Sequence, residues 1–243
     1  MKELYKQLSR LSEVHLILDF DGTLIPIRDN RDDLSLPLPT LRALKAITNL
    51  PVTILSGRDD EDLKTAFQDF SFQLVARNGF EESATLNQQG VQVRLRLSEL
   101  LPQTEVAATL IEAKGAMTSL HFRHLKNDNL GPVLLELVSR TIKELGLESG
   151  WHAYLGKMVV NVEPRAVSKA KFVADYLAKN THASVLFAGD DSNDFPVFEL
   201  NHPRLTRVFV YPSDSPSALQ WSDVKKMPRE DFLELLEQLG QRS

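Results

Sequence analysis

The sequence predicts an α/β protein: a core of parallel strands joined by helices, interrupted by an inserted α+β module. Three observations lead there. Short apolar runs alternate with helical stretches up to about residue 80 and do so again after residue 168. Between those stretches the rhythm changes to alternating strands with few helical crossovers. The core runs also end in polar or acidic clusters, as strands do when they deliver side chains to one rim of a parallel sheet.

The elements follow in order. Met1-Lys2-Glu3-Leu4-Tyr5-Lys6-Gln7-Leu8 is amphipathic and charged, so it reads as a first helix, not as a secretory leader with its continuous apolar run. Val14 to Phe20 is a buried strand, Pro37 to Leu50 a helix, Val52 to Leu55 a second strand, Asp60 to Phe70 a helix, and Phe72 to Ala76 a third strand. In the insertion, the strict alternation of Val91-Gln92-Val93-Arg94-Leu95-Arg96-Leu97 predicts a strand with one wet face. A helix is expected over 102–114, a strand over 117–124, a helix over 132–145, and paired strands over 151–155 and 158–162. Ser168 to Lys179 then predicts a helix, Ser184 to Ala188 a buried strand, Val208 to Val210 a short strand, and Arg229 to Gly240 a closing amphipathic helix. The expected organisation is a core of residues 1–80 and 168–243 with an insertion at 81–167.

Composition narrows the function classes. At 243 residues the chain is longer than one domain of about 150 residues and shorter than two. Lys plus Arg number 28 against 33 for Asp plus Glu, a net charge of −5, which argues against a nucleic-acid partner. The absence of cysteine excludes disulfides and thiolate metal sites. No run of 18 apolar residues is present, so a membrane-spanning helix is not expected, and a cytoplasmic location is.

The chemistry sits at three core strand ends: Asp19-Phe20-Asp21-Gly22-Thr23, Ser56-Gly57-Arg58 and Gly189-Asp190-Asp191-Ser192-Asn193-Asp194. Asp21-Gly22 alone would read as a turn. Carboxylates gathered from several strands repel one another unless a cation joins them, and oxygen ligands without His or Cys favour magnesium over zinc. Of Asp19 and Asp21, one can attack an electrophile while the other manages a proton, and a carboxylate nucleophile suits phosphorus. The hydroxyls of Thr23 and Ser56 and nearby loop amides suit phosphoryl oxygens, and Lys169 brings further positive charge.

Taken together, Asp19-Phe20-Asp21-Gly22-Thr23-Leu24, Ser56-Gly57-Arg58, Lys169 and Gly189-to-Asp194 resemble, in order, the four motifs of the haloacid dehalogenase superfamily of phosphotransferases. That resemblance implies a Rossmann-like core with an inserted α+β cap. It implies Asp19 as nucleophile, Asp21 as acid and then base, and Ser56 and Lys169 as phosphoryl ligands. It also implies Mg2+ on the Asp19 and Asp190 carboxylates and the Asp21 main-chain carbonyl, with Asp194, Asn193 and Asp191 around it. Within the superfamily the chain resembles the trehalose-6-phosphate phosphatases. The basis is Ser56-Gly57-Arg58, Asp190-Asp191, Thr118-Ser119-Leu120-His121-Phe122-Arg123 and Gly156-Lys157-Met158-Val159-Val160-Asn161-Val162-Glu163-Pro164.

The substrate implied is a small sugar phosphate. Thr23, Gly57, Arg58, Lys157, Asn161 and Glu163 are the expected substrate contacts, with His121 and Arg123 behind them; His121 also reads as a residue hydrogen-bonded inside the cap. Where the family strand has Glu and Arg, this chain has Asn161 and Glu163. Trehalose-6-phosphate therefore stands first, with glycosylglycerol, sucrose and glycosylglycerate phosphates as alternatives and a phosphomutase behind them. Functional pairing with a sugar-phosphate synthase is the expected partnership.

Overall fold

The computed structural model of the protein describes residues 1–28, 30–80, 83–104, 107–127, 129–156, 158–212 and 221–241. In chain order the elements begin α1 (Lys2–Ser9), β1 (Val14–Leu18), α2 (Leu38–Ala46), β2 (Val52–Leu55), α3 (Asp60–Ala66) and β3 (Gln73–Val75). There follow α4 (Ala84–Leu100), β4 (Leu110–Lys114), β5 (Met117–His121), α5 (Leu130–Glu144), β6 (Trp151–Gly156) and β7 (Val159–Pro164). The chain closes with α6 (Lys169–Lys179), β8 (Ser184–Gly189), α7 (Phe195–Phe198), β9 (Leu205–Tyr211), β10 (Lys225–Pro228) and α8 (Arg229–Gly240). It forms two compact units, one of Met1–Gly79 with Ser168–Ser243, the other of Phe80–Val167.

In the first unit six strands run in the order β10-β9-β8-β1-β2-β3, every neighbouring pair parallel. β1 is buried along its whole length because both faces of a parallel sheet are covered by helices. Leu16 and Leu18 pack with Leu44, Phe232, Leu235, Leu236 and Leu239 on the side of α2 and α8. Ile17 points the other way, into the cluster of Val173, Leu177, Phe187, Val197 and Phe198 under α6 and α7. Leu18 is level with Ile54 of β2 and Ala188 of β8. That register brings the chain exits after all three strands to one edge. The edge strand β10, with only Met227 buried, escapes the periodicity reading because Lys225-Lys226-Met227-Pro228 carries no β pattern of its own.

The second unit is an antiparallel sheet, β4-β5-β7-β6, with α4 and α5. Three expectations are corrected here. Residues 91–97 are helical, within α4, because only Val93 and Leu97 of the alternating set are buried; Val91 and Leu95 are exposed on the opposite side. The helix opens at Ser83, whose hydroxyl accepts the Leu86 N–H, an N-cap that fixes the helical frame. Gly90 lies so close to β5 that a Cβ there would stand 2.0 Å from the Ala116 carbonyl oxygen, which completes a Gly90-Val93-Leu97 helical stripe. The expected 102–114 helix is instead a 3-10 turn at Leu101–Gln103 followed by β4, which pairs along β5 from Leu110–His121 to Lys114–Met117. Cross-strand pairing decides a sequence of neutral preference such as Leu110-Ile111-Glu112-Ala113-Lys114. The strand expected over 117–124 ends at His121, and Arg123–Leu125 form a 3-10 turn.

Candidate active site

Asp19 leaves the end of β1 with its backbone N–H donating to the Ala188 carbonyl of β8 at 2.9 Å. The chain then turns sharply: the Phe20 carbonyl accepts from Leu24 and Ile25, and the Gly22 N–H donates to the Ile25 carbonyl. Gly22 has φ +93, a conformation glycine adopts readily. It is also pressed against Asp190, whose Oδ2 would lie 1.9 Å from an added Cβ. The tight turn therefore brings the exits of β1 and β8 together. Thr23, fully buried, places its hydroxyl 3.2 Å from Asp19 Oδ2 and 3.1 Å from Asp190 Oδ1.

Lys169 is the first residue of α6, a helix capped by the Ser168 hydroxyl accepting the Ala170 N–H. Its ammonium donates to Asp19 Oδ1 at 2.5 Å and Asp194 Oδ1 at 2.7 Å. Asp194 is fully buried, and its other oxygen accepts the backbone N–H groups of Asp190 and Asp191. It thus braces the loop that carries Asp190. Ligand oxygens of Asp19, Asp190 and Asp194 lie within 4.8 Å of one another.

Three carboxylates against one ammonium leave this centre two negative charges in excess when all are ionised. The excess shows in the proton affinities. Burial pushes the Asp19 carboxyl up, Lys169 opposes the rise, and the charges of Asp194 and Asp21 add to it. Asp190 is pushed well above the usual carboxylate range by burial and by the charges of Asp19, Asp194 and Asp191. Burial would lower Lys169, but the carboxylates of Asp19 and Asp194 outweigh it and hold the ammonium charged. A clustered, oxygen-only donor set with surplus negative charge fits a hard divalent cation.

Ser56 and Arg58 come from the exit of β2. The loop is pinned by backbone bonds from the Arg77 N–H to the Arg58 carbonyl and from the Asn78 N–H to the Ser56 carbonyl, each 2.8 Å. Ser56 is buried and accepts the Arg58 N–H, while Gly57 lies against the Asn78 carboxamide. Arg58 folds back as a fork onto Asp21, Nε to Oδ2 at 2.6 Å and Nη2 to Oδ1 at 2.8 Å. Its Nη1 reaches Asp62 and the Arg31 carbonyl, and the guanidinium sits 5.5 Å from the centre of the Phe20 ring.

The structure thus gathers Asp19, Thr23, Lys169, Asp190 and Asp194 in one cluster, and joins Asp21 to Arg58 beside it. Asp191 accepts the Ser192 N–H, and the Asn193 carboxamide oxygen is buried with no hydrogen-bond partner among the described residues. In the second unit, Asn161 accepts the Ser119 hydroxyl, and Glu163 accepts the Tyr154 hydroxyl and lies 3.4 Å from His152. His121 pairs with Glu112 at 2.8 Å, as a residue braced inside its sheet does. Lys157 lies outside the described residues. Two residues escaped the sequence reading. Arg229, at the start of α8, donates twice to the Gly22 carbonyl, and no local signal announces it. Asp62 holds Arg58, and its one signal is the helical spacing of four from that arginine.

The sequence profile of the trehalose-phosphatase family matches residues 17–223, a span that contains every one of these strand-end residues except Arg229. The chain belongs to the trehalose-phosphatase family. It is 24% identical over 221 residues to an uncharacterized glycosyl hydrolase of Mycobacterium tuberculosis, covering 81% of this chain and 16% of that protein. It is 27% identical over 239 residues to the bifunctional trehalose-6-phosphate synthase/phosphatase of Thermoproteus tenax, covering 92% of this chain and 31% of that protein. The chain therefore spans less than a third of the length of either relative. Among solved structures, the C-terminal domain of the trehalose-6-phosphate phosphatase of C. albicans superposes with a TM-score of 0.77 at 18% identity, covering 100% of this chain and 97% of that one. The fold of this trehalose-phosphatase family member is accordingly the haloacid dehalogenase type, a parallel core with an inserted α+β cap.

Proposed function

We propose that the protein is a magnesium-dependent sugar-phosphate phosphatase that converts trehalose-6-phosphate to trehalose and phosphate. The observation that carries this reading is the meeting of Asp19, Lys169, Thr23 and Asp190 at the exits of two adjacent parallel strands, in a member of the trehalose-phosphatase family. The Asp19 carboxylate attacks phosphorus; a carboxylate–phosphorus bond forms, the bond from phosphorus to the sugar oxygen breaks, and that oxygen takes a proton from Asp21. Water then attacks the aspartyl-phosphate, Asp21 takes its proton, and phosphate leaves with Asp19 restored. Lys169, Thr23 and Ser56 offer donors to the phosphoryl oxygens. Asp19, Asp190 and the Asp21 carbonyl would hold Mg2+, with Asp194 bracing them, and the ion when bound supplies charge neutralisation for an anionic nucleophile meeting an anionic phosphate.

The first unit is then the catalytic core, and the second acts as the cap that reads the sugar. Asn161, Glu163 and Lys157 of the second unit and Arg58 and Gly57 of the first are the proposed substrate contacts. A related glycosyl phosphate, of glycerol or glycerate, is the second reading. It is favoured by the Asn161–Ser119 and Glu163–Tyr154 pairs, which stand where the family strand has Glu and Arg. The fusion named in the T. tenax relative supports functional pairing with a sugar-phosphate synthase, and a cytoplasmic setting suits that pairing. No helix among the described residues is long and apolar enough to cross a membrane.

The test is a phosphate-release screen with Mg2+ over trehalose-6-phosphate, sucrose-6-phosphate, glycosylglycerol phosphate and glucosyl- or mannosyl-phosphoglycerate. Trehalose-6-phosphate is expected to give the highest kcat/KM. A higher value for a glycerol or glycerate derivative moves the assignment to the second reading, and no release from any of them overturns both.

A further inference from the structure

Arg58 poses a problem for the chemistry just described, and the structure contains its answer. Both carboxyl oxygens of Asp21 accept N–H groups from Arg58, at 2.6 and 2.8 Å. The fork favours the ionised carboxylate, and the O–H oxygen of a neutral carboxyl is a poor acceptor, so a carboxyl that passes a proton to the leaving sugar oxygen does so most readily with one oxygen clear of Arg58. Release of Asp21 on one side of the guanidinium would therefore favour proton delivery.

The guanidinium is equipped for this without leaving the site. Asp21 is met by the Nε and Nη2 edge only. The third nitrogen, Nη1, donates to the Arg31 carbonyl at 2.9 Å and to Asp62 Oδ2 at 3.1 Å, so it is held independently of Asp21. Asp62 in turn is fixed in the first turn of α3, where its backbone N–H donates to the Asp59 side chain. Below the guanidinium, the Phe20 ring provides a face on which a planar cation can pivot while keeping its contact. Arg58 is buried, whereas Asp21 and Asp62 are partly open, so the shared cation is the best-anchored member of the three.

We propose that Asp62 is a positioning residue of the reaction: it retains the Arg58 guanidinium through Nη1 while the opposite edge releases Asp21 to face the leaving oxygen. The proposal rests on the sugar-phosphate phosphatase reading. Among the described residues, loss of the Asp62 carboxylate leaves Asp21 as the one carboxylate bonded to Arg58, which closes the fork and slows proton delivery. The defect is specific to leaving groups that need a proton, because p-nitrophenolate departs without one and a sugar alkoxide does not.

The experiment compares kcat/KM for trehalose-6-phosphate and p-nitrophenyl phosphate in wild type, Asp62→Asn and Asp62→Glu, with the fold of each checked by circular dichroism. In Asp62→Asn the ratio of the two values is expected to shift at least tenfold against trehalose-6-phosphate. In Asp62→Glu, which keeps a carboxylate on the same turn, the ratio is expected to return to within about threefold of wild type. Equal losses on both substrates, no loss on either, or a Glu variant that behaves like the Asn variant overturns the role of Asp62 while wild-type turnover of the sugar phosphate stands. Wild type that cleaves p-nitrophenyl phosphate and no sugar phosphate overturns the functional reading, and this inference with it.

Discussion

β1 brings two buried polar side chains into the core, His15 near its start and Asp19 just past its end, and the two ends of the strand treat them differently. Around His15 every donor meets an acceptor. The Tyr176 hydroxyl donates to Nδ1 at 2.5 Å, Nε2–H donates to Thr53 Oγ1 at 2.7 Å, and the Thr53 hydroxyl donates to Gln73 Oε1 at 3.0 Å. The ring is neutral, and burial lowers its pKa to about 4. Around Asp19 the hydrogen bonds are equally short, but the charges do not cancel. A closed neutral network secures the sheet; a surplus of like charge costs stability and persists where chemistry uses it. The two ends of one strand thus separate structural from functional polarity.

The largest effect expected from breaking this contrast comes at the charged end. Asp19→Asn is expected to lower phosphate release by a factor of about a thousand or more, since it removes the proposed nucleophile. It also removes one of three crowded carboxylates, so its melting temperature in the absence of Mg2+ is expected to equal or exceed that of wild type. A fold lost together with the activity would place Asp19 with His15, as a structural group.

At the neutral end the effect is on stability, and it depends on pH. The folded imidazole takes a proton near pH 4 and the unfolded one near 6.5. Between those values the unfolded chain binds more protons, so stability falls as the pH drops from 6.5 to 4, and is complete above that window. His15 is expected to account for a loss of roughly 3 kcal/mol by pH 4. His15→Gln, which has no proton to take, is expected to be less stable than wild type at pH 7 by about 1–2 kcal/mol through weakened hydrogen bonds. Urea unfolding at pH 7, 6, 5 and 4 checks this: the gap closes toward acid and reverses by pH 4, where the variant is the more stable by about 1–2 kcal/mol, and a constant gap contradicts the role given to the ring.

The same physical distinction governs what could be read from the sequence. The buried runs of β1, β2 and β8 were legible because a parallel strand covered on both faces must be apolar throughout, and the acids at their exits stood out against it. The clustering of Asp19 with Asp190 followed from the rule that parallel strands share a rim, whereas Lys169, on a helix, was placed there by the resemblance to the haloacid dehalogenase motifs. In the second unit the alternation at 91–97 belonged to a helix, because Gly90, Val93 and Leu97 are buried in that unit's core and Val91 and Leu95 meet solvent. Periodicity over seven residues does not report that choice; contact with Ala116 does. The grip of Arg229 on Gly22 and the pairing of Arg58 with Asp21 likewise depend on residues brought together by the finished fold.

The central claim is that the acids at the strand exits share a divalent cation. Its most direct measurement is thermal unfolding of wild type and Asp190→Asn in EDTA and in a Mg2+ series. Binding to the folded state alone contributes about 2.7 kcal/mol at a hundredfold excess over Kd. The account predicts a rise of a few degrees for wild type that EDTA reverses, with Asp190→Asn more stable than wild type in EDTA and nearly indifferent to Mg2+. Equal Mg2+ responses in the two proteins, or none in wild type, would contradict it.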